Sequence, residues 1–341
     1  MKVKLQWWVA LVAVVSFVAM ASTETSRTVV DDVGNTVIVP THVTRVADAW
    51  FAHASPMMTL GEGRSMVDSV NHAKSRPWMF TLQPSLYQAR AVQGTRFNAE
   101  TLLNDGVQLV FVAAGDPQVA ALQRVGLPVM QMHFTTLNGL KQTLLNTAQA
   151  MGTPSAMTRA KLYNQYLDRQ LSRIHAITAG LTENQKPLVL HISSLHPLKV
   201  DGRDTLINDW IQIAGGRNAA QSIKGNMQAV SAEQVLAWQP DIIILAADAG
   251  DIHDAPDAAV LQVLNAVQDG KVVRNPSGVF PWDRYGTESA LQIQWAAQQL
   301  HPERLKQDDM VLITQRFYRQ FFDYSLSSKQ ASLILQGLAP Q

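Results

Sequence analysis

Residues 153–180 read TPSAMTRAKLYNQYLDRQLSRIHAITAG. Apolar positions Leu162, Tyr163, Tyr166, Leu167, Leu171, Ile174 and Ile177 recur at three and four residues, the period of one helical face. Pro154 suits an early helical position behind Thr153, and Gly180 is a natural stop. The spacing predicts one helix of about 25 residues, roughly 38 Å long at 1.5 Å per residue. On either side the pattern alternates. Buried-strand runs at Val43–Ala47, Leu109–Ala113 and Pro128–Met132 precede the helix, with helical spacing between them at Thr101–Asn104 and Val119–Val125. Leu188–Ile192, Ile242–Ala246 and Lys271–Arg274 follow it. Strands alternating with helices argue for parallel sheets with helices on their faces. The fold class expected is therefore α/β, two Rossmann-like lobes with parallel sheets joined by a single long helix, ending in a helical C-terminus over residues 302–338.

An internal repeat supports two similar lobes. Asn98-Ala-Glu-Thr-Leu-Leu-Asn-Asp-Gly-Val-Gln-Leu-Val-Phe-Val-Ala113 aligns without a gap on Ser231-Ala-Glu-Gln-Val-Leu-Ala-Trp-Gln-Pro-Asp-Ile-Ile-Ile-Leu-Ala246. Each segment is an N-cap, a short helix, a turn and a buried strand, with a capping box expected from Ser231 and Gln234. Ahead of the first lobe, residues 28–39 read as two short strands around an Asp/Gly/Asn turn, closed by Pro40. The boundaries expected are 1–21 for a signal peptide, 27–152 for the N-terminal lobe, 153–180 for the linking helix and 186–341 for the C-terminal lobe with its terminal helices.

Lys2 and Lys4 precede an almost wholly apolar run from Leu5 to Met20, and Ala19-Met20-Ala21 offers a small-x-small cleavage pattern. A secretory signal peptide cleaved near Ala21 is the better reading of a segment so short. The expected localisation is the periplasm, with no membrane insertion of the mature chain. The 341 residues carry 28 basic and 27 acidic side chains, a net charge of +1, which gives no long-range attraction to nucleic acid. Without cysteine there is no disulfide framework, thiolate metal site or thiol nucleophile. No phosphate-binding loop, His-Glu-x-x-His pair or Gly-x-Ser-x-Gly elbow is present, and Gly61-Glu62-Gly63 lacks the third glycine of a dinucleotide fingerprint. The acidic pairs Asp31-Asp32 and Asp308-Asp309 read as solvated turns. No catalytic constellation emerges, which leaves a secreted metal-dependent hydrolase as the rival class and an adhesion module as a third.

Ligands of parallel α/β sheets bind beyond the carboxyl ends of the strands. Residues following those ends are Trp50 and His53, then His133, then His196. The densest run is Gly278-Val-Phe-Pro-Trp-Asp-Arg-Tyr-Gly286, where Trp282, Arg284 and Tyr285 combine large amphipathic rings with a planar cation. The loop 71–96 adds Arg76, Trp78 and Arg96. The ligand-binding candidates are thus Trp50, His53, Trp78, Arg96, His133, His196, Trp282, Arg284 and Tyr285. His53, His133, His196 and Tyr285 are the candidates for touching a metal.

The leader, the opening Asp31/Asp32, Gly34 and Pro40 hairpin, the repeated lobes and the single linking helix resemble the helical-backbone substrate-binding proteins of ABC importers. Asn98-Ala-Glu100, Ser231-Ala-Glu233 with Gln239-Pro240-Asp241, and Pro281-Trp-Asp-Arg-Tyr-Gly286 followed by Trp295 and His301-Pro302-Glu303 are similar to a metal-chelate branch of that group. The resemblance implies a monomer with no intrinsic cofactor that captures a metal complex, such as a ferric siderophore or another chelate, between its lobes. A small metal oxyanion such as molybdate or tungstate is the alternative cargo, because arginine forks and ring N–H groups suit it; Arg76, Arg96, Arg203 and Arg284 are the cations at hand. Nickel and haem complexes stay open. It also implies that Glu100 and Glu233, one per repeat, meet arginines on the transmembrane permease subunits.

Overall fold

A computed structural model of the chain describes residues 25–92 and 94–341. The signal-peptide reading of residues 1–21 falls outside them. The chain opens with the hairpin β1 (Ser26–Val30) and β2 (Thr36–Pro40), paired antiparallel with Val29 opposite Val37. The N-terminal lobe follows: β3 (Val46–Asp48), α1 (Ala54–Thr59), β4 (Met66–Ser69), α2 (Pro77–Leu82), β5 (Arg90–Ala91), α3 (Ala99–Asn104), β6 (Leu109–Ala113), α4 (Val119–Arg124), β7 (Val129–Met132) and α5 (Leu137–Met151). Its five strands are all parallel, in the order β5-β4-β3-β6-β7. Four of the five residues of β6 are buried, which is why its sequence is apolar on both faces.

The linking helix α6 runs from Pro154 to Thr178, with Thr153 Oγ1 accepting from Ala156 N. Its buried stripe is Ala156, Ala160, Tyr163, Leu167 and Ile174. Leu162 is not on that face. It lies a hundred degrees round the helix from Tyr163 and is exposed. The helix is fastened to both halves. Arg159 donates to the carbonyls of Thr59 and Phe321, Tyr163 to that of Thr287, and Arg173 pairs with Asp308 at 2.8 Å.

The second lobe contains β8 (Leu188–Leu195), β9 (Leu198–Val200), α7 (Leu206–Ile213), β10 (Arg217–Asn218), β11 (Gln228–Ala229), α8 (Ala232–Trp238), β12 (Ile242–Leu245), α9 (Ala258–Leu261), α10 (Asn265–Gln268) and β13 (Val272–Arg274). Its sheet runs β11-β9-β8-β12-β13, parallel across β8, β12 and β13 and antiparallel at β9 and β11. The helices α11 (Ser289–Leu300), α12 (Met310–Phe321) and α13 (Ser328–Leu335) complete the chain.

Three expectations need correction. Residues 302–338 are not helical throughout. Asp309 caps α12 and Ser327 caps α13 in a reciprocal box with Gln330, so the chain stops and restarts between them. Ser231 caps α8 by accepting from Gln234 N, but the return bond from Gln234 that would complete the box is not formed. The acidic pairs are not merely solvated turns. Asp31 is buried and accepts from Asn35 N and Gln131 N, while Asp32 accepts from Thr143, Asn146 and His133 N, fixing the hairpin to the lobe. Asp308 grips the linking helix. No described helix is long and apolar enough to cross a membrane.

Candidate functional site

The carboxyl ends of β3 and β7 face the loop 278–286 of the second lobe. Trp50 and Phe134 arrive from the N-terminal lobe and Tyr285 from the other. Their ring centroids are 5.7 Å apart for Trp50 and Phe134, 5.9 Å for Trp50 and Tyr285, and 5.3 Å for Phe134 and Tyr285. The contacts are tilted or edge-on, the arrangement favoured by ring quadrupoles. Deeper in, hydroxyls close the seam: Thr287 meets Ser55 at 2.8 Å and Thr59 at 2.7 Å, both on α1.

Charge lines one side of this seam. Arg284 holds Asp248 at 2.8 Å, and Asn226 bonds the Tyr285 hydroxyl. Arg76, from the N-terminal lobe, lies over the Phe280 ring at 4.8 Å. One of its nitrogens reaches the carbonyl of Ser75, but its Nε is buried without a hydrogen-bond partner. Burial lowers the pKa of Arg76; Asp248 counters that and Arg284 adds to it. A cavity of 160 Å³ opens here between Arg76, Trp78, Asp248, Gly278, Pro281 and Leu338.

Glu288 shapes the loop from behind. Its carboxyl accepts from Val279 N at 3.0 Å, Phe280 N at 2.7 Å, Trp282 Nε1 at 3.1 Å and the Tyr318 hydroxyl. Burial raises the Glu288 pKa to about 7 against these donors. A side chain at Gly278 would collide with Tyr318 and Glu288, so only glycine lets the loop turn there.

The nine residues named from sequence separate into three groups. Trp50, Arg284 and Tyr285 converge on the seam. His53 and Trp282 do not line it, being buried with their ring nitrogens engaged, while Trp78, equally buried, meets it only as part of the wall of the 160 Å³ cavity. His53 lies between Asp48 at 3.2 Å and Thr147 at 3.0 Å, Trp78 Nε1 donates to the Leu338 carbonyl, and Trp282 Nε1 to Glu288. Arg96, His133 and His196 are exposed elsewhere: Arg96 ahead of α3, His133 beside the hairpin, His196 in the turn between β8 and β9. Arg203 also stays away, with its guanidinium on the carbonyls of Gln221 and Ser222. The metal candidates His53, His133, His196 and Tyr285 are therefore not brought together, and no group of three or more His, Cys, Asp or Glu among the described residues is placed to hold a metal ion. Phe134, Asn226 and Asp248 carry no local sequence signal. Arg76 does stand out as a cation, but its missing partner is a tertiary fact.

The sequence pattern of the periplasmic binding protein family matches residues 109–278. The chain belongs to that family. The molybdate-binding protein MolA of Haemophilus influenzae is 24% identical over 97% of this chain and 100% of its own length. The vitamin B12-binding protein of Salmonella typhimurium is 28% identical, over 40% of this chain and 48% of its own. Among solved structures, a periplasmic solute binding protein of Veillonella parvula superposes with a TM-score of 0.79 at 23% identity, covering 91% of this chain and 97% of that one. MolA bound to molybdate gives 0.77 at 19% identity, covering 88% and 99%. Helicobacter pylori CeuE with Ni(II) bound gives 0.75 at 17% identity, covering 91% and 99%. These periplasmic binding proteins share the two-lobe α/β fold described above, and the family delivers captured solutes to ABC permeases.

Proposed function

We propose that this periplasmic binding protein captures a small metal oxyanion, of the molybdate or tungstate kind, at the seam between its lobes. The observation that carries the reading is Arg76: half-buried at the seam, without an ion pair and with its Nε buried and unsatisfied. A half-buried charge of this kind calls for a counter-ion, and an oxyanion supplies acceptors in the geometry a guanidinium fork matches. Arg284, bonded to the cavity-lining Asp248, offers a second fork beside it, and the Tyr285 hydroxyl and Asn226 amide, outside the cavity wall, offer neutral partners along the seam. The 160 Å³ cavity favours a small ion over a bulky chelate, since drug-sized ligands occupy about 300 Å³ or more. The full-length likeness to a molybdate-binding protein points the same way. A metal complex is the second reading, favoured by the wall of Trp50, Phe134 and Tyr285, on which a planar chelate can stack.

Calorimetry on the purified protein separates the two. Saturable molybdate or tungstate binding, with no heat from nickel–histidine, ferric chelates, haem or cobalamin, is the expected result. Binding of a chelate alone would sink the oxyanion reading. The leader is cleaved near Ala21 on this view, and the mature chain acts in the periplasm as a monomer without a cofactor of its own.

Glu100 and Glu233 are the docking contacts for the permease in this reading. Both are exposed in the first turns of α3 and α8, the helices of the repeated unit. Each helix runs back against the strand that follows it, so its first turn lies toward that strand's carboxyl end, the side from which the seam residues also come. A charged pair at a rim sets orientation and on-rate. Replacing both by Ala leaves ligand affinity unchanged and slows uptake into vesicles carrying the cognate permease about ten-fold or more. Undiminished uptake would remove the docking role.

A further inference from the structure

Behind the seam, in the second lobe, lies a charged cluster that the ligand reading does not use. His191 on β8 is fully buried, with Nδ1 2.8 Å from Asp201 and Nε2 2.9 Å from Asp283. An imidazole between two ionised carboxylates must donate on both sides, and only the doubly protonated ring can do that. Burial alone would lower its pKa, but the bonds and charges of Asp201 and Asp283 outweigh burial and raise it to about 9. Trp210 of α7 packs edge-on against the ring at 6.0 Å and brings no charge. Arg284 stands beyond Asp283, with Nε 3.6 Å from its Oδ1, and is attracted by Asp201 as well.

Each aspartate has a second attachment, on the ligand side. Asp201 Oδ1 accepts from Met227 N at 2.8 Å, next to Asn226, whose amide bonds Tyr285. Met227 has φ 53°, a left-handed conformation that a non-glycine residue keeps only when held. Asp283 directly precedes Arg284 and Tyr285, and its carbonyl takes the Trp210 indole N–H at 3.2 Å. Its Oδ1 has no hydrogen bond, only the 3.6 Å approach of Arg284, so the side-chain hydrogen bonding of Asp283 rests on His191. The loop of Asn226 and the loop of Arg284 are thus joined at the back through a single imidazole.

We infer that His191 is a positioning residue for the ligand: as a cation between Asp201 and Asp283 it fixes the spacing of the two loops that present Asn226, Arg284 and Tyr285. Losing that proton leaves two buried carboxylates competing for one donor, and the loops separate. An anion beside Arg284 adds negative charge nearby and strengthens the His191 proton, so binding and protonation reinforce one another. This role rests on the seam being the anion site.

The test combines molybdate calorimetry from about pH 6.5 to about pH 10 with hydrogen exchange on the free protein near neutral pH, for the wild type, H191N and D283N. Wild-type affinity is expected to fall about ten-fold or more above pH 9, while H191N is already weaker by that factor at neutral pH and flat thereafter. In D283N, one fewer carboxylate needs the proton, and the alkaline loss shrinks. Amides of residues 226–229 and 281–286 exchange faster in H191N, with the rest of the chain unchanged. H191N matching the wild type in affinity and pH profile overturns the inference, as does faster exchange spread evenly over the chain, which would mark general support of the fold. Should H191N not fold, D283N decides by the same profile. A wild type that never binds molybdate sinks the oxyanion reading instead, and the exchange pattern of the free protein still judges His191.

Discussion

A half-buried guanidinium at a lobe junction with no ion-paired carboxylate costs the free protein stability, because the desolvation of its charge is only partly repaid. Arg76 is in that position, with the Phe280 ring and one carbonyl in contact and the charge of Asp248 acting without an ion pair. The cost makes sense if the residue's counter-ion is the cargo. Replacing Arg76 by Met keeps the apolar stem and removes the charge. The expected outcome is molybdate affinity lower by about ten- to a hundred-fold, since charge-assisted hydrogen bonds are worth roughly 1.5–3 kcal/mol. The ligand-free variant should melt no lower than the wild type, and higher if the desolvation cost exceeds the cation–π attraction. Calorimetry and thermal melting check both halves. A free variant that melts lower would make Arg76 a structural contact of the seam. Glu288 shows the opposite case, a buried acid with four donors converging on it, whose work is to hold residues 279–282 in place.

At the scale of elements, legibility followed how local the deciding signal is. Thr153, Pro154 and the stripe through Tyr163, Leu167 and Ile174 lie within one helix, so α6 could be read directly. The runs at 109–113 and 242–245 are buried on both faces, and a run of apolar residues of strand length says so. The terminal region misled because Phe317, Phe321, Leu333 and Leu335 keep helical spacing across a break. The stop is written only in two small caps, Asp309 and the Ser327–Gln330 box. Asp31 and Asp32 look like turn residues in sequence because their partners are a hundred positions away. The seam was harder still. A residue after a strand end can point out or back, and sequence does not say which: Trp50 points out, while His53, three positions on, folds back onto Asp48 and Thr147. Chemical type at 282–286 was readable, but Trp282 is claimed by Glu288 and only its neighbours Arg284 and Tyr285 remain for the seam.

Across the whole molecule the large titration shifts share one sign. Asp68, buried on β4 with neither oxygen hydrogen-bonded, is pushed to about 6 by burial and by Asp105. Glu288 is raised to about 7 and His191 to about 9. All three hold protons more tightly folded than unfolded, so each contributes stability that is complete below its ordinary pKa and disappears as pH rises through the folded value. For Glu288 the window runs from 4.5 to about 7, and for His191 from 6.5 to about 9. Asp201 works the other way. Burial would raise its pKa, but His191 holds it below the usual range, so its contribution is lost in acid. Stability should therefore peak in mildly acidic solution and decline steadily toward pH 9, with the melting temperature dropping about 5 °C or more from the peak. Because Thr287, Tyr163 and Arg159 tie both lobes to each other and to the linking helix, the loss should appear as one shifted transition. Differential scanning calorimetry across this range is the measurement. His191→Gln should flatten the upper part of the profile. Glu288→Gln should melt lower throughout, since its amide would set a donor against the donors of Val279, Phe280 and Trp282, and should flatten the lower part. A melting temperature that climbs from pH 6 to pH 9 would mean that His191 is neutral in the folded protein, and the two aspartates around it would then need another source of protons.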